Sequence, residues 1–302
     1  MGYALVFSGQ GRQHPDMLPW LARDPSLVAL ERELGADWRE RLADPAAAGD
    51  NRRAQLLLTA TACAAWSQLQ GRLPPPAIVA GYSVGELPAF AAAGVFDASA
   101  ALSLAATRAD CMDAAAADAA TGLFGVTGAT AEGLAALCER FDLEVAIRID
   151  AGSVVLGGLR ERLLTATAEG DARGWHCTPL NVSLASHTRW MRDAVGCFDR
   201  ALADTTLQRP ARPLASNALG RVRTAAEART ALTRQIAQTV RWDECMDLLA
   251  AQRVQAVLEI GPGQALARLW NDRHGEVPAR SVDEFRSIGS IVAWIEKVLA
   301  PG

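Results

Sequence analysis

Short apolar runs of strand length alternate along the chain with longer stretches of helical character. Tyr3-Ala4-Leu5-Val6-Phe7 is such a run, and it ends in Ser8-Gly9-Gln10-Gly11, a turn that exposes backbone N–H groups. Residues 17–34 read as helix with proline interruptions, 45–51 as loop, and 55–69 as an unbroken helix. Three prolines, 74–76, stop the chain before a β-branched run at 77–80. That run passes into Gly81-Tyr82-Ser83-Val84-Gly85 and then into a helical stretch at 87–93. Strand, sharp turn with serine at its apex, then helix is the context that a nucleophile elbow requires. The glycines fit because a Cβ at 81 or 85 would clash where strand and helix backbones come together. The Ser83 hydroxyl would then lie at a helix N-terminus, where unpaired N–H groups and the dipole favour negative charge.

After a turn at 94–97, residues 98–117 form a long Ala-rich helix that carries Arg108. The next segment has its own rhythm: strand at 123–126, helix at 130–140, strands at 143–149 and 153–156, helix at 160–173, strand at 175–182. This β-α-β-β-α-β order is the ferredoxin-like unit. Beyond it, helices are expected at 189–202, 225–238 and 242–252, with strands at 213–217 and 256–260. The pattern predicts an α/β-hydrolase-like core with a mainly parallel sheet and an inserted ferredoxin-like small domain. Residues 1–122 and 190–302 would make the discontinuous large domain, and 123–189 the small one.

Composition narrows the chemistry. A chain of 302 residues with 50% hydrophobic content can bury a full core, and a net charge of -4 gives no reason to expect nucleic acid. Lys297 is the only lysine, so a GK[ST] phosphate loop and an internal Schiff-base lysine are excluded. The six cysteines are far apart with no C-x-x-C pair, which argues against a zinc site and for reduced thiols. No signal-peptide pattern and no apolar run of membrane-spanning length is visible, so the expectation is a soluble, cytoplasmic protein without a membrane partner.

A serine nucleophile needs a base within hydrogen-bond reach, and four histidines are available. His14 and His274 read as solvated surface residues, and His176 as a packed residue inside a small-domain strand. His187 begins a helix at the return to the large domain, a common place for catalytic groups. Arg108 interrupts an apolar helix face, where it either binds a substrate anion or snorkels to solvent.

Phe7-Ser8-Gly9-Gln10-Gly11, Gly81-Tyr82-Ser83-Val84-Gly85-Glu86, Arg108, Ser186-His187, Ser216-Asn217, Val240-Arg241-Trp242 and Glu259-Ile260-Gly261-Pro262-Gly263 stand in a telling order and spacing. Together they resemble the malonyl-CoA:acyl-carrier-protein transacylases over essentially the whole chain. The opening motif and the elbow look most like the transacylase (epsilon) subunit of bacterial malonate decarboxylase. The resemblance implies Ser83 as nucleophile, His187 as base, and the backbone N–H groups of Gln10 and Val84 as oxyanion hole. It implies Arg108 as binder of the malonyl carboxylate, and a main-chain carbonyl at 250–252, with Gln252 preferred, to orient the histidine. Asn217 would support that corner.

Tyr82 stands where most relatives carry His, Ile147 and Ile149 where many carry Asn, and no bulky Phe precedes Ser186-His187. The implied reaction is ping-pong transfer from malonyl-CoA to the phosphopantetheine-type thiol of an acyl carrier protein. A CoA thioester is then the substrate, with no permanently bound cofactor and no metal, and other malonate decarboxylase subunits become partners. The alternatives are a fatty-acid-synthesis transacylase, a serine thioesterase or hydrolase, and a non-catalytic carrier-docking module.

Overall fold

The apolar run at 3–7 lies at the heart of the larger of two sheets. A computed structural model describes residues 2–300; Met1 and residues 301–302, at the ends of the expected large domain, lie outside the described residues. In chain order the strands are β1 (Tyr3–Phe7), β2 (Ile78–Gly81), β3 (Thr121–Thr127), β4 (Glu144–Arg148), β5 (Ser153–Leu159) and β6 (His176–Pro179). They continue with β7 (Leu214–Ser216), β8 (Gly220–Val222), β9 (Val240–Arg241), β10 (Ala256–Ile260) and β11 (Ala279–Ser281). The first sheet has the order β11-β10-β1-β2-β7-β8, parallel throughout except for the antiparallel edge strand β8. Its central strands β1 and β2 are continuously apolar because both faces are covered, while β10 carries the buried Glu259.

The helices are α1 (Pro25–Leu34), α2 (Pro45–Gly49), α3 (Asn51–Leu69), α4 (Glu86–Ala92), α5 (Ala98–Ala115) and α6 (Ala131–Phe141). After them come α7 (Arg160–Ala172), α8 (Arg192–Ala203), α9 (Ala225–Gln235), α10 (Trp242–Ala250), α11 (Ala265–Arg273) and α12 (Ile288–Leu299). Residues 17–24, expected to be helical, are turns ahead of α1, whose start is set by the Asp24 cap and Pro25. The expected loop at 45–51 holds the short α2. Asp50 and Asp97 cap α3 and α5. These two helices pack side by side, α3 buried on nearly every face, and carry Gln55 and Arg108 inward.

The second sheet has the order β6-β3-β5-β4-β9. Its first four strands are antiparallel and follow the β-α-β-β-α-β succession read from the sequence. The fifth was not foreseen: the two-residue β9 arrives from beyond α9 and pairs parallel to β4, Ile147 opposite Val240. An apolar seam joins the sheets, with Val6 and Ala80 from one, Ala146, Ile147 and Val155 from the other, and Trp242 among them. No helix among the described residues is long and apolar enough to cross a membrane.

The expectation of reduced thiols holds for Cys63, Cys138, Cys177 and Cys245, but Cys111 and Cys197 form a disulfide. It ties α5 to α8 with Cα atoms 5.8 Å apart. A separation of 86 residues hid this neighbourhood, because only the packing of the two helices creates it.

The close approach expected at the elbow is present. A Cβ at Gly81 would lie 2.1 Å from the Gly85 carbonyl oxygen, and one at Gly85 would lie 2.4 Å from that of Phe7. Both obstacles are backbone, so neither can move aside. Gly81→Ala is expected to lower stability by about 3 kcal/mol or more, at the upper end of overpacking costs; its urea midpoint against wild type measures this.

Candidate active site

β2 delivers the chain to the carboxyl edge of the parallel sheet, where it turns through Ser83 with φ of 55°. A left-handed non-glycine residue costs on the order of 1–3 kcal/mol and persists only where its surroundings hold it. Asn217, just past β7, does so: its Oδ1 accepts the Ser83 amide at 2.9 Å, and its Nδ2 donates to the Gly81 carbonyl at 2.7 Å. From the other side Gln235 Nε2 donates to the Ser83 carbonyl at 2.7 Å.

His187 is also left-handed, with φ of 65°, and its amide donates to the Ile236 carbonyl. Its Nε2 lies 2.7 Å from Ser83 Oγ, and its Nδ1 lies 2.6 Å from the Gln235 carbonyl oxygen. A carbonyl can only accept, so Nδ1 carries the ring proton and Nε2 is free to receive the serine's. Burial, then the charge of Arg108, lowers the His187 pKa to about 3, opposed by the bond to Gln235. The imidazole is therefore neutral at physiological pH, the state a general base needs.

Gln252, expected to orient this histidine, does not. It lies in the turn after α10, next to the start of β10, whereas Ser83 lies beyond the carboxyl ends of β1 and β2. The whole length of the parallel strands separates them. The carbonyl belongs instead to Gln235, at the end of α9 and five residues ahead of the Val240-Arg241-Trp242 motif.

Arg108 is 3% exposed, so it does not snorkel. Its Nη1 donates to Gln55 Oε1 at 2.6 Å and its Nη2 to Gln235 Oε1 at 2.9 Å. Burial lowers its pKa to about 10 while nearby Glu86 raises it, and it stays charged at neutral pH. Three of the five guanidinium N–H groups have no protein acceptor among the described residues. Glu86, fully buried, takes the Asn217 amide on Oε1 and Gln235 Nε2 on Oε2; burial pushes its pKa up to about 8 against these bonds and Arg108. Gln235, Gln55 and Glu86 were not singled out from the sequence, although Glu86 directly follows the elbow glycine.

The first glycine-rich turn lies beside the elbow. Ser8 Oγ donates to the buried Glu259, which also accepts the amides of Leu266 and Ala267 at the start of α11. The amides of Gln10 and Val84 donate to no protein group among the described residues. Tyr82 covers Gly9 and meets Trp242 edge-on, with ring centroids 5.3 Å apart, in the seam that also holds Ile147 and Ile149. The other histidines lie apart from this cluster. His14 bonds Asp283, His274 lies against Trp270, and His176, expected to be packed, is exposed on the edge strand β6. Among the described residues no group of acidic, His and Cys side chains could hold a metal ion.

Gln235→Ala leaves Arg108 and Glu86 each short of a partner, at about 1–3 kcal/mol per buried unsatisfied group. A loss of roughly 3 kcal/mol is expected by chemical denaturation, while Gln252→Ala stays within about 0.5 kcal/mol. The lowered His187 pKa has a sign that can be checked. An unfolded histidine takes its proton near pH 6.5 and the folded one only near 3, so this residue withdraws stability as pH falls below about 6.5. Its ring resonances are expected to stay unshifted by NMR from pH 8 to about pH 5.

The family model described as the acyl transferase domain matches residues 42–291. The malonyl CoA-acyl carrier protein transacylase of Mycobacterium tuberculosis is 36% identical over 291 residues, covering 92% of this chain and 95% of that protein. The structure of an acyl-carrier-protein S-malonyltransferase from Burkholderia pseudomallei superposes with a TM-score of 0.87 at 29% identity, covering 97% and 100% of the two chains. A malonyl-transacylase in complex with its type II PKS acyl-carrier protein gives a TM-score of 0.88 at 27% identity, covering 97% and 99%. A strand–elbow–helix serine bonded to a buried neutral histidine, in a fold shared with these enzymes from end to end, places this chain in the acyl transferase family, as an acyltransferase of the malonyl-CoA:acyl-carrier-protein transacylase group.

Proposed function

We propose that the protein transfers a malonyl group from malonyl-CoA to the phosphopantetheine-type thiol of an acyl carrier protein, through an acyl-enzyme on Ser83. The observation that carries this reading is Arg108: a buried guanidinium with three unused donors and no carboxylate bonded to it, beside a Ser–His pair. A desolvated guanidinium matches the permanent carboxylate of a malonyl thioester, which it can clamp with two charge-assisted bonds.

The steps follow from the donors and acceptors. The malonyl carboxylate pairs with Arg108 and brings the thioester carbonyl over Ser83. His187 Nε2 takes the hydroxyl proton as Oγ attacks, and the oxyanion is received by the amides of Gln10 and Val84. The tetrahedral intermediate collapses, the C–S bond breaks, and His187 returns its proton to the departing CoA thiolate. The carrier's thiol then gives its proton to His187 and attacks the acyl-serine, and Ser83 recovers its proton as the malonyl thioester leaves. Neutralising Arg108 also removes the second cause of the low His187 pKa, so substrate makes the base stronger. No resident cofactor or metal enters this scheme, and the protein acts in the cytoplasm.

The small sheet's order supports the ferredoxin-like reading of 123–189, set on a hydrolase-like core of 1–122 and 190–302. The opening motif and the Gly-Tyr-Ser-Val-Gly-Glu elbow support the carrier protein of malonate decarboxylase as acceptor, with that enzyme's subunits as partners. A second reading is the loading of a fatty-acid-synthesis carrier, which fits the relatives' printed names because these say acyl carrier protein without naming a decarboxylase. Purified carriers of both kinds, offered to the malonylated enzyme, decide between them by the rate of malonyl transfer.

Intact mass after malonyl-CoA is expected to show one malonyl adduct on wild type and none on Ser83→Ala. Adduct formation is expected to slow by several orders of magnitude in His187→Ala. Arg108→Ala should lower kcat/KM for malonyl-CoA roughly 30- to several-thousand-fold, the loss of one partner of a desolvated charge pair, and that for acetyl-CoA far less. Equal losses for the two thioesters would return Arg108 to a structural role.

A further inference from the structure

β7 has Asn217 and the elbow beyond one end, and a second concavity at the other. There a cleft of about 290 Å³ is lined by Arg209, Arg212, Arg221 and Arg223 and by no acidic residue. None of the four guanidinium groups makes an ion pair or a side-chain hydrogen bond with a described residue. Other arginines, among them Arg23, Arg52, Arg140, Arg189 and Arg229, meet an Asp or Glu, and what sets these four apart is that they line one cleft with no acidic residue among them. In a protein of net charge -4, four unpaired arginines around one cleft reverse the prevailing sign. Glu227, the acid closest in sequence, is engaged by the amides of Arg223 and Thr224 at the cap of α9.

The frame of the cleft is stiff. Pro210 and Pro213 fix their own φ angles, and the segment is stitched to the large sheet and its neighbours. Gln208 donates to the Val95 carbonyl at 2.8 Å, Ala211 to that of Ala93 at 2.8 Å, and Val79 to that of Pro213 at 2.9 Å. On β8, Val222 is buried and Arg221 exposed, and Arg223, the residue just after the strand, is exposed as well; both arginines line the cleft. Arg212 is half-buried, and its charge opposes the rise that burial causes in the Tyr3 hydroxyl's pKa.

We propose that this cleft binds a small ligand through two adjacent phosphate groups. Each phosphate carries about 1.5–2 negative charges at neutral pH, so two match four guanidinium groups. Arginine is the side chain that holds phosphate oxygens in pairs. A concavity of this size suits a small anion better than the flat acidic face of a protein. The cleft is separate from the acyl site, because β7 holds them apart by roughly 10 Å at about 3.3 Å per residue.

The test is calorimetric titration with inorganic pyrophosphate. Wild type and Ser83→Ala are expected to bind it equally at a 1:1 ratio, and acetyl-pantetheine, a thioester without phosphate, should not displace it. Arg212→Gln/Arg221→Gln should weaken binding roughly 100-fold, about tenfold for each charged hydrogen-bonding partner lost. Arg221→Gln/Arg223→Gln, confined to exposed side chains on the edge strand and just after it, should do the same with an unchanged melting temperature. ADP and CoA run alongside compare a free nucleotide with a coenzyme as the source of the diphosphate, and loss of either ligand's binding in both double variants supports the site. Absence of pyrophosphate binding at millimolar concentration overturns the proposal, as does wild-type affinity in both double variants. Tighter binding of hexaglutamate than of pyrophosphate overturns it in favour of an acidic protein partner.

Discussion

A positive charge sealed inside an apolar helix layer is the constraint on which the catalytic centre depends. Arg108 keeps its proton at neutral pH and is only 3% exposed, so neighbouring elements supply two acceptors and leave the remaining N–H groups for a ligand. Gln55 comes from α3 and Gln235 from the end of α9, and Glu86 adds charge from the start of α4. Gln235 is shared further. Its side chain bonds Arg108, Glu86 and the Ser83 carbonyl, and its main chain holds the imidazole. The nucleophile, its base and the buried cation are thereby one polar network, in which each member's position sets that of the next.

Glu86 shows what that network demands of a carboxyl group. Burial favours its neutral form, while two N–H donors and a guanidinium favour the carboxylate. The balance can exist only while Asn217 and Gln235 are held in place. These two residues also impose the left-handed turn at Ser83, so backbone strain at the serine and charge burial at Arg108 rest on the same side chains.

Much of this was legible in the chain. Local patterning located β1, β2 and the elbow, because buried parallel strands are continuous apolar runs and because glycine alone permits the close approach at 81 and 85. The small sheet's succession was readable for the same reason. The failures were non-local. Gln235 is an ordinary helical residue until a fold brings His187 to its carbonyl, and Gln252 looked equivalent because spacing cannot tell which end of a strand a turn adjoins. β9 has two residues, too few for any pattern. The Cys111–Cys197 bond depends on two helices meeting, which no spacing of cysteines reveals.

β9 also bears on how such a protein can change over evolutionary time. Residues 121–179 supply four of the second sheet's five strands from one continuous stretch of chain. The pairing of Val240 with Ile147 denies that stretch independence, since the same short run of chain that completes the sheet begins at the glutamine gripping the histidine. A different sequence in that stretch would meet β9 with a different register and so bear on the catalytic base. A change in β4 therefore bears on residues 235–241 and through them on the catalytic base, although 88 residues separate Ile147 from Gln235.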